Sequence, residues 1–537
     1  MLLFSAFLVA LVVTMALIPL LVRVAERWSI VDIPDERKIH TGAIPRVGGI
    51  AMVLGVILPI LMWLPVDAIL MGVLLALGVL LFFGAWDDSR DLDYRLKFLG
   101  QFAAVFLVVF VGDVKFAIFP LAGLDPVSDF LSIPVTILFL VGTTNAVNLS
   151  DGLDGLAAGI SLLSLCGIAL LAYLGDGQSI VLICFAVAGA IFGFLRYNTY
   201  PARVFMGDTG SQFLGFMLGV LSIVLTQKSN TALNPAAPLF LVGLPIIDTV
   251  FVMAKRLSEG RSPFSPDKNH IHHRIMAHGM AHYETVAIIY LTQIGFVISA
   301  ILLRYQSDLM VLACYLVLSG ALLCALLFAK ERQWTAQHSR FSNYMGRLTN
   351  SVRVRRFSIK AIQCGVALYL VIGCAVCAEV PSDLRISALF LFVLLLARLI
   401  WADRLRFFPL RLLVFPTIAF AVYLMHSDAR TLNIIPLELR TGLLVALLFL
   451  MLFAVRYSKI DSFQTTPTDL LVIAVAGGVG ILYERQIVDV ALIPVMVGIV
   501  ILFYAAELVM KQMKSRWNCF TVGMMAVLTL LSARLIV

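Results

Sequence analysis

The sequence predicts an all-α, polytopic membrane fold, and three observations carry that reading. Apolar residues make up 61% of the 537 and charged ones only 13%, with a mean hydropathy of +0.99, so a globule of this length has too little interior to hide its apolar surface. The apolar residues come in runs close to the roughly 20 that cross a hydrocarbon core as a helix. Within the runs they do not alternate with polar residues, as the strands of a membrane barrel would.

The first run, 2–22, has no basic residue before it and no small-residue cleavage site within it, so it reads as a span and not as a removable signal. Runs at 47–64, 68–85, 98–113, 131–147, 156–174, 179–196, 211–226, 236–254, 284–303 and 308–329 follow, which makes about eleven spans in residues 1–330. Residues 331–360 are polar and rich in arginine and read as a cytoplasmic linker. Residues 361–537 hold about seven more runs, near 361–380, 386–401, 411–425, 441–456, 468–483, 488–509 and 518–537, without paired Asp or clustered His. No chemistry is assigned to that region.

Charge chooses the orientation. Alternating the loops puts most flanking Lys and Arg, from Arg23 and Arg27 through Arg90, Arg95 and Lys97 to Lys255 and Arg256, on one side, while only Lys115, Lys228 and Arg304 fall on the other. The basic side is expected to be cytoplasmic, with the amino terminus outside. A net charge of +8 then reflects attraction to an anionic inner leaflet, not nucleic acid. The eight cysteines lie in or beside apolar runs, and Cys374-x-x-Cys377 reads as two small core residues and not as a redox or zinc motif.

On the expected cytoplasmic side lie four polar islands, and ionisable groups at the ends of spans mark function by default. Asp87-Asp88, with Asp91 one turn on, supplies paired carboxylates of the kind that hold Mg²⁺ beside phosphate. Asp151 and Asp154, three apart, are expected to share a helix face, with Asn145 and Asn148 in the preceding turn as amide donors and acceptors. Asp208, between Met206-Gly207 and Thr209-Gly210-Ser211, is expected to stand beside a nest of amides suited to phosphate. His270-x-His272-His273-Arg274 favours a diphosphate over zinc, because an arginine fork and imidazoles suit phosphate and zinc wants three or four ligands. An earlier loop adds Lys38 and His40. Carboxylates, a nest and a His/Arg loop on one membrane face describe phosphoryl transfer to a lipid.

These residues resemble the polyprenyl-phosphate N-acetylhexosamine-1-phosphate transferases (glycosyltransferase family 4), and among them the N-acetylglucosamine branch. The resemblance covers about residues 1–330 through Arg37-Lys38-x-His40, Asp87-Asp88, Asn145-x-x-Asn148-x-x-Asp151-Gly-x-Asp154-Gly155, Phe205-Met-Gly-Asp208-x-Gly-Ser211, and Ser262-Pro-Phe-Ser-Pro-Asp267 with His270-x-His272-His273. It implies a UDP-sugar and undecaprenyl phosphate as substrates, Mg²⁺ or Mn²⁺ as cofactor, and a bacterial inner membrane. Asp208 would be the main metal ligand, with Asp87 or Asp88 completing the site. Asp87, Asp88, Asp151, Asp154 and His273 are the expected catalytic residues. Lys38, His40, Asn145, Asn148, Asn198, Phe205, His270, His272 and Arg274 are the expected substrate-binding ones.

The lipid phosphate is expected to attack directly, an aspartyl-phosphoryl intermediate being the alternative. Arg274 departs from the family pattern, and the sugar stays open to another N-acetylated form or a muramoyl-pentapeptide. Residues 361–537 suggest a homodimer surface or contacts with polysaccharide-assembly partners. A multispan transporter is the rival from another class; it would place its ionisable groups near the midplane.

Overall fold

The computed structural model describes residues 2–28, 30–32, 43–121, 126–262, 269–331, 352–377, 380–401, 410–427, 434–456, 492–512 and 518–533. Lys38 and His40, the 263–268 stretch, most of the expected linker and the expected span at 468–483 lie outside the described residues. The described helices fall into two compact units, those up to residue 331 and those from 352 onward.

In the first unit the helices follow the apolar runs: α1 Leu2–Trp28, α2 Gly48–Trp63, α3 Ala68–Arg90, α4 Tyr94–Phe110, α5 Asp129–Ser150, α6 Leu156–Tyr173, α7 Gln178–Asn198, α8 Gly207–Val224, α9 Ala237–Leu241, α10 Gly243–Ser258, α11 Ile271–Ala277, α12 His282–Leu302 and α13 Asp308–Glu331. Among the described residues of the whole chain, nine helices are long and apolar enough to cross a membrane. The protein is a multi-pass, all-α membrane protein. A two-residue antiparallel pair, Val31–Asp32 with Ile44–Pro45, is the sole strand structure described.

Four boundaries differ from the sequence reading. The helix α3 runs on to Arg90, which takes Asp87 and Asp88 into its last turns; it starts on Asp67, whose carboxylate accepts from Leu70 N at 2.8 Å, and stops where Asp91 turns left-handed at φ 45°. The single span expected at 236–254 is broken at Val242 into α9 and α10. The His motif forms its own short helix, α11. Asp151 and Asp154 share no helix face: α5 ends at Ser150 and α6 begins at Leu156, with Gly155 left-handed at φ 78° between them.

The helix α8 is the buried axis of this unit, with α2, α3, α5, α6 and α9 packed around it. Small residues permit that crowding: a Cβ on Gly49 would overlap the Gly210 backbone, and one on Gly215 would stand 2.6 Å from Thr143 O. Because successive helices run up and down, the C-termini of α3, α5 and α7 and the N-termini of α4, α6 and α8 meet at one end of the bundle. All four polar islands are at that end.

The second unit contains α14 Val352–Val376, α15 Ser382–Ile400, α16 Arg411–Ser427, α17 Leu437–Arg456, α18 Leu492–Gln512 and α19 Cys519–Ala533, gathered on a core that includes Leu370, Val422, Leu502 and Phe520. One buried cation stands out there, Arg440, which donates to Met425 O at 2.8 Å.

Candidate active site

The site is built where α8 begins. Gly207 takes φ +66°, and a Cβ there would run into the Asp88 carboxylate. Asp88 Oδ1 accepts from Asp208 N at 2.7 Å, and Oδ2 from Thr209 N at 3.1 Å and Thr209 Oγ1 at 2.7 Å. An internal carboxylate therefore fills the place where the sequence suggested a phosphate nest. The first amides of α8 are satisfied by Asp88, as a capping side chain satisfies them, and Asp88 ties α3 to α8 instead of pointing into open space.

That arrangement leaves Asp87 and Asp208 facing one another. Lys97, in the first turn of α4, stands between them, its Nζ 2.6 Å from Asp87 Oδ2 and 3.0 Å from Asp208 Oδ2. The two carboxyl groups lie within hydrogen-bonding reach of each other. Gln212 Nε2 approaches Asp208 Oδ2 at 3.4 Å, and Asn148 Nδ2 donates to Ser211 Oγ at 2.8 Å one turn away. Asp91, the third carboxylate of the Asp87-Asp88-x-x-Asp91 run, is outside this cluster and pairs with Arg46 at 2.9 Å.

The 151–155 loop forms the next wall. Asp154 Oδ2 accepts from Ala202 N at 2.9 Å, and Asn198 holds the loop's end, accepting from Gly155 N at 2.8 Å and donating to Val204 O at 2.9 Å. Burial, reinforced by the charges of Asp208, Asp154 and Asp88, pushes the Asp151 carboxyl up to about 8. His272 lies against Gly152, so closely that a Cβ on that glycine would overlap the ring. Burial and the neighbouring His273 and His270 rings push His272 down to about 3, so it is neutral at neutral pH. Its Nε2 is buried without a hydrogen-bond partner.

The structure thus brings together Asp87, Asp88, Asn148, Asp151, Asp154, Asp208 and His272 from four separate stretches of chain. Asn145 faces α4, exchanging amide hydrogen bonds with Gln101 and donating to Val141 O at 2.8 Å. Asn198 is engaged with backbone as just described. Phe205 acts through its backbone, its N donating to Pro45 O at 2.9 Å and its O accepting from Gly48 N at 3.0 Å. Arg274 lies over the Phe251 ring at 4.5 Å.

The described residues include no cluster of three or more His, Cys, Asp or Glu side chains placed for a metal ion. Two hard carboxylate oxygens already gathered about a positive charge do fit Mg²⁺, which binds through one or two carboxylates and completes its shell with water and substrate phosphate. Asp87 and Asp208 are the fitting pair, with Asp88 committed to α8.

The profile for "Glycosyl transferase family 4" matches residues 70–226, which span α3 to α8. A probable undecaprenyl-phosphate N-acetylglucosaminyl 1-phosphate transferase of Bacillus subtilis is 37% identical over 302 residues, covering 56% of this chain and 84% of that protein. The chain belongs to glycosyl transferase family 4. Two other similar proteins match over a somewhat shorter extent: a decaprenyl-phosphate N-acetylglucosaminephosphotransferase of Mycolicibacterium smegmatis, 36% identical across 50% of this chain and 73% of that one, and the undecaprenyl-phosphate alpha-N-acetylglucosaminyl 1-phosphate transferase of Escherichia coli, 31% identical across 50% and 74%. The matched residues include Asp87, Asp88, Lys97, Asn148, Asp151, Asp154 and Asp208.

Three residues in or beside this cluster escaped the sequence reading. Lys97 counted only as a topology-setting charge, although its place in the turn after Asp87-Asp88 was the available signal. Gln101 follows it by one helical turn. Asp248 is a lone carboxylate in the apolar stretch of α10, and its position alone was the signal.

Proposed function

We propose that this chain transfers N-acetylglucosamine 1-phosphate from UDP-N-acetylglucosamine to undecaprenyl phosphate, releasing UMP and starting a lipid-linked envelope polysaccharide. We place the reaction at the cytoplasmic face of a bacterial inner membrane, with Mg²⁺, or Mn²⁺ in its place, as the metal. The observation that carries this reading is the meeting of Asp87 and Asp208 on Lys97 at the end of a membrane bundle, beside the 151–155 loop and His272. The names of the similar proteins support the prenyl-phosphate acceptor and the sugar.

A phosphate oxygen of the lipid attacks the β-phosphorus of the UDP-sugar. The bond from that phosphorus to the bridging oxygen breaks, and UMP leaves with the electron pair. The nucleophile is already an anion, so no strong base is required. The metal, held by Asp87 and Asp208, would supply charge neutralisation across the diphosphate. Lys97 keeps the two carboxylates at one place, and Asp88 keeps Asp208 at the head of α8. Asp151, its carboxyl raised by burial and by the charges of Asp208, Asp154 and Asp88, borders the same site. We assign His270, His272 and His273 to the donor side, His272 as a neutral ring packed against Gly152.

The test incubates membranes with labelled UDP-sugars, undecaprenyl phosphate and Mg²⁺, comparing the wild type with Asp208→Asn. UMP and a labelled lipid should form with UDP-N-acetylglucosamine and fail to form in the variant. Release of UMP at an unchanged rate by Asp208→Asn would remove the metal role, and wild-type preference for another UDP-sugar would change the donor.

A further inference from the structure

We infer that Asp248 is a positioning residue for the donor, acting through His270 without touching substrate; the inference rests on the function proposed above. Asp248 sits inside α10 in a run of apolar neighbours and is buried. A carboxylate there is costly unless its oxygens are bonded, and both are spent on two consecutive residues. Oδ1 accepts from Ile271 N at 2.8 Å and Oδ2 lies 2.9 Å from His270 Nδ1. Capping α11 needs one oxygen only. The second oxygen fixes a ring.

With Oδ2 of Asp248 as the acceptor, Nδ1 of His270 is the donor and Nε2 is the nitrogen turned away from Asp248. His272 lies between the other two imidazoles and against the 151–155 loop. The rings of His270 and His272 are 5.9 Å apart and tilted by only 9°, those of His272 and His273 are 4.2 Å apart, and His272 packs on Gly152. Asp248 therefore sets the orientation of a ring stacked on the one that borders the 151–155 loop. A side chain that fixes a ring's tautomer and angle works at one remove, as the carboxylates behind metal-bound histidines do.

The experiment is a double-mutant cycle on the full-length protein in detergent, with labelled UDP-N-acetylglucosamine and undecaprenyl phosphate. Asp248→Asn is expected to raise KM for the UDP-sugar about tenfold and to leave KM for the lipid unchanged, a split that general loss of structure would not produce. His270→Ala is expected to do similar damage. The double variant should be no worse than His270→Ala alone, because Asp248 would have nothing left to act through. If Asp248→Asn does not accumulate, Asp248→Glu, which keeps the charge and shifts it by one methylene, takes its place in the same cycle. Losses that multiply in the double variant, or equal rises in both KM values, overturn the positioning role while leaving the transferase reading intact. A wild type inactive with every UDP-sugar overturns both.

Discussion

Replacing Lys97 by Met removes the one cation that joins Asp87 and Asp208 and keeps most of the side-chain volume. Two charge-assisted contacts are lost, at 2.6 and 3.0 Å. Hydrogen bonds to charged groups contribute about 1.5–3 kcal/mol each. The lysine side chain is 33% exposed, so the lower bound applies, or about 3 kcal/mol together. The two carboxylates, one of them buried, are then left facing each other without a counter-charge. The purified variant in EDTA should therefore melt several degrees below the wild type. Mg²⁺ should recover much of the difference, since an ion that binds only the folded state stabilises it by mass action, and the vacated charge gives it more to do in the variant. The assay is thermal unfolding in detergent with EDTA and with increasing Mg²⁺. Equal melting of the two proteins in EDTA, or an equal Mg²⁺ shift in both, would refute the account of Asp87, Lys97 and Asp208 as one charge-sharing site.

Asp88→Asn replaces one of the two oxygens that hold the first turn of α8 with an amide donor facing Thr209, and is expected to cost about 2 kcal/mol of stability as well as activity; loss of turnover at unchanged melting temperature would return Asp88 to the metal. Gly152→Ala should displace the His272 ring and lower kcat/KM on the order of ten- to a hundredfold with little change in melting, whereas Gly142→Ala, whose added Cβ meets nothing within 4 Å, should behave as wild type in the same two assays. His272, held near 3 in the fold against an ordinary value of 6.5, takes up its proton in the unfolded chain first as pH falls. The unfolded state thus binds more protons between those values, and stability should fall as pH drops from about 6.5 toward 3. A His272→Gln variant should show a flatter fall over that range, read by unfolding at fixed pH steps.

Much of the fold was legible because a bilayer permits so few solutions. Apolar runs of spanning length must be helices, and the runs near 68–85, 131–147, 156–174 and 179–196 differ from α3, α5, α6 and α7 by only a few residues at their ends. Two misses were local. The break at Val242 falls just before Gly243 and Pro245, and a proline at 245 has no N–H to bond Leu241 O, so the signal for a break was in the run; the helix over Ile271–Ala277 is too short to show a periodicity. The site residues were legible as types: Asp87, Asp88, Asp151, Asp154, Asp208 and His272 were singled out from sequence. Their individual duties were not, because a carboxylate that caps a helix and one that faces a metal look alike in a sequence.

From sequence alone came the membrane, the helical class, the single face that gathers the islands, and the family, since each depends on composition, run length or ordered motifs. The tertiary structure alone decided that Asp88 closes the start of α8 while Asp87 and Asp208 share Lys97, that His272 is buried and neutral beside Gly152, and that Asp248 stands behind His270. Those assignments depend on which atoms meet across helices far apart in the chain. Such meetings are set by how the helices pack around α8, and no local pattern encodes them.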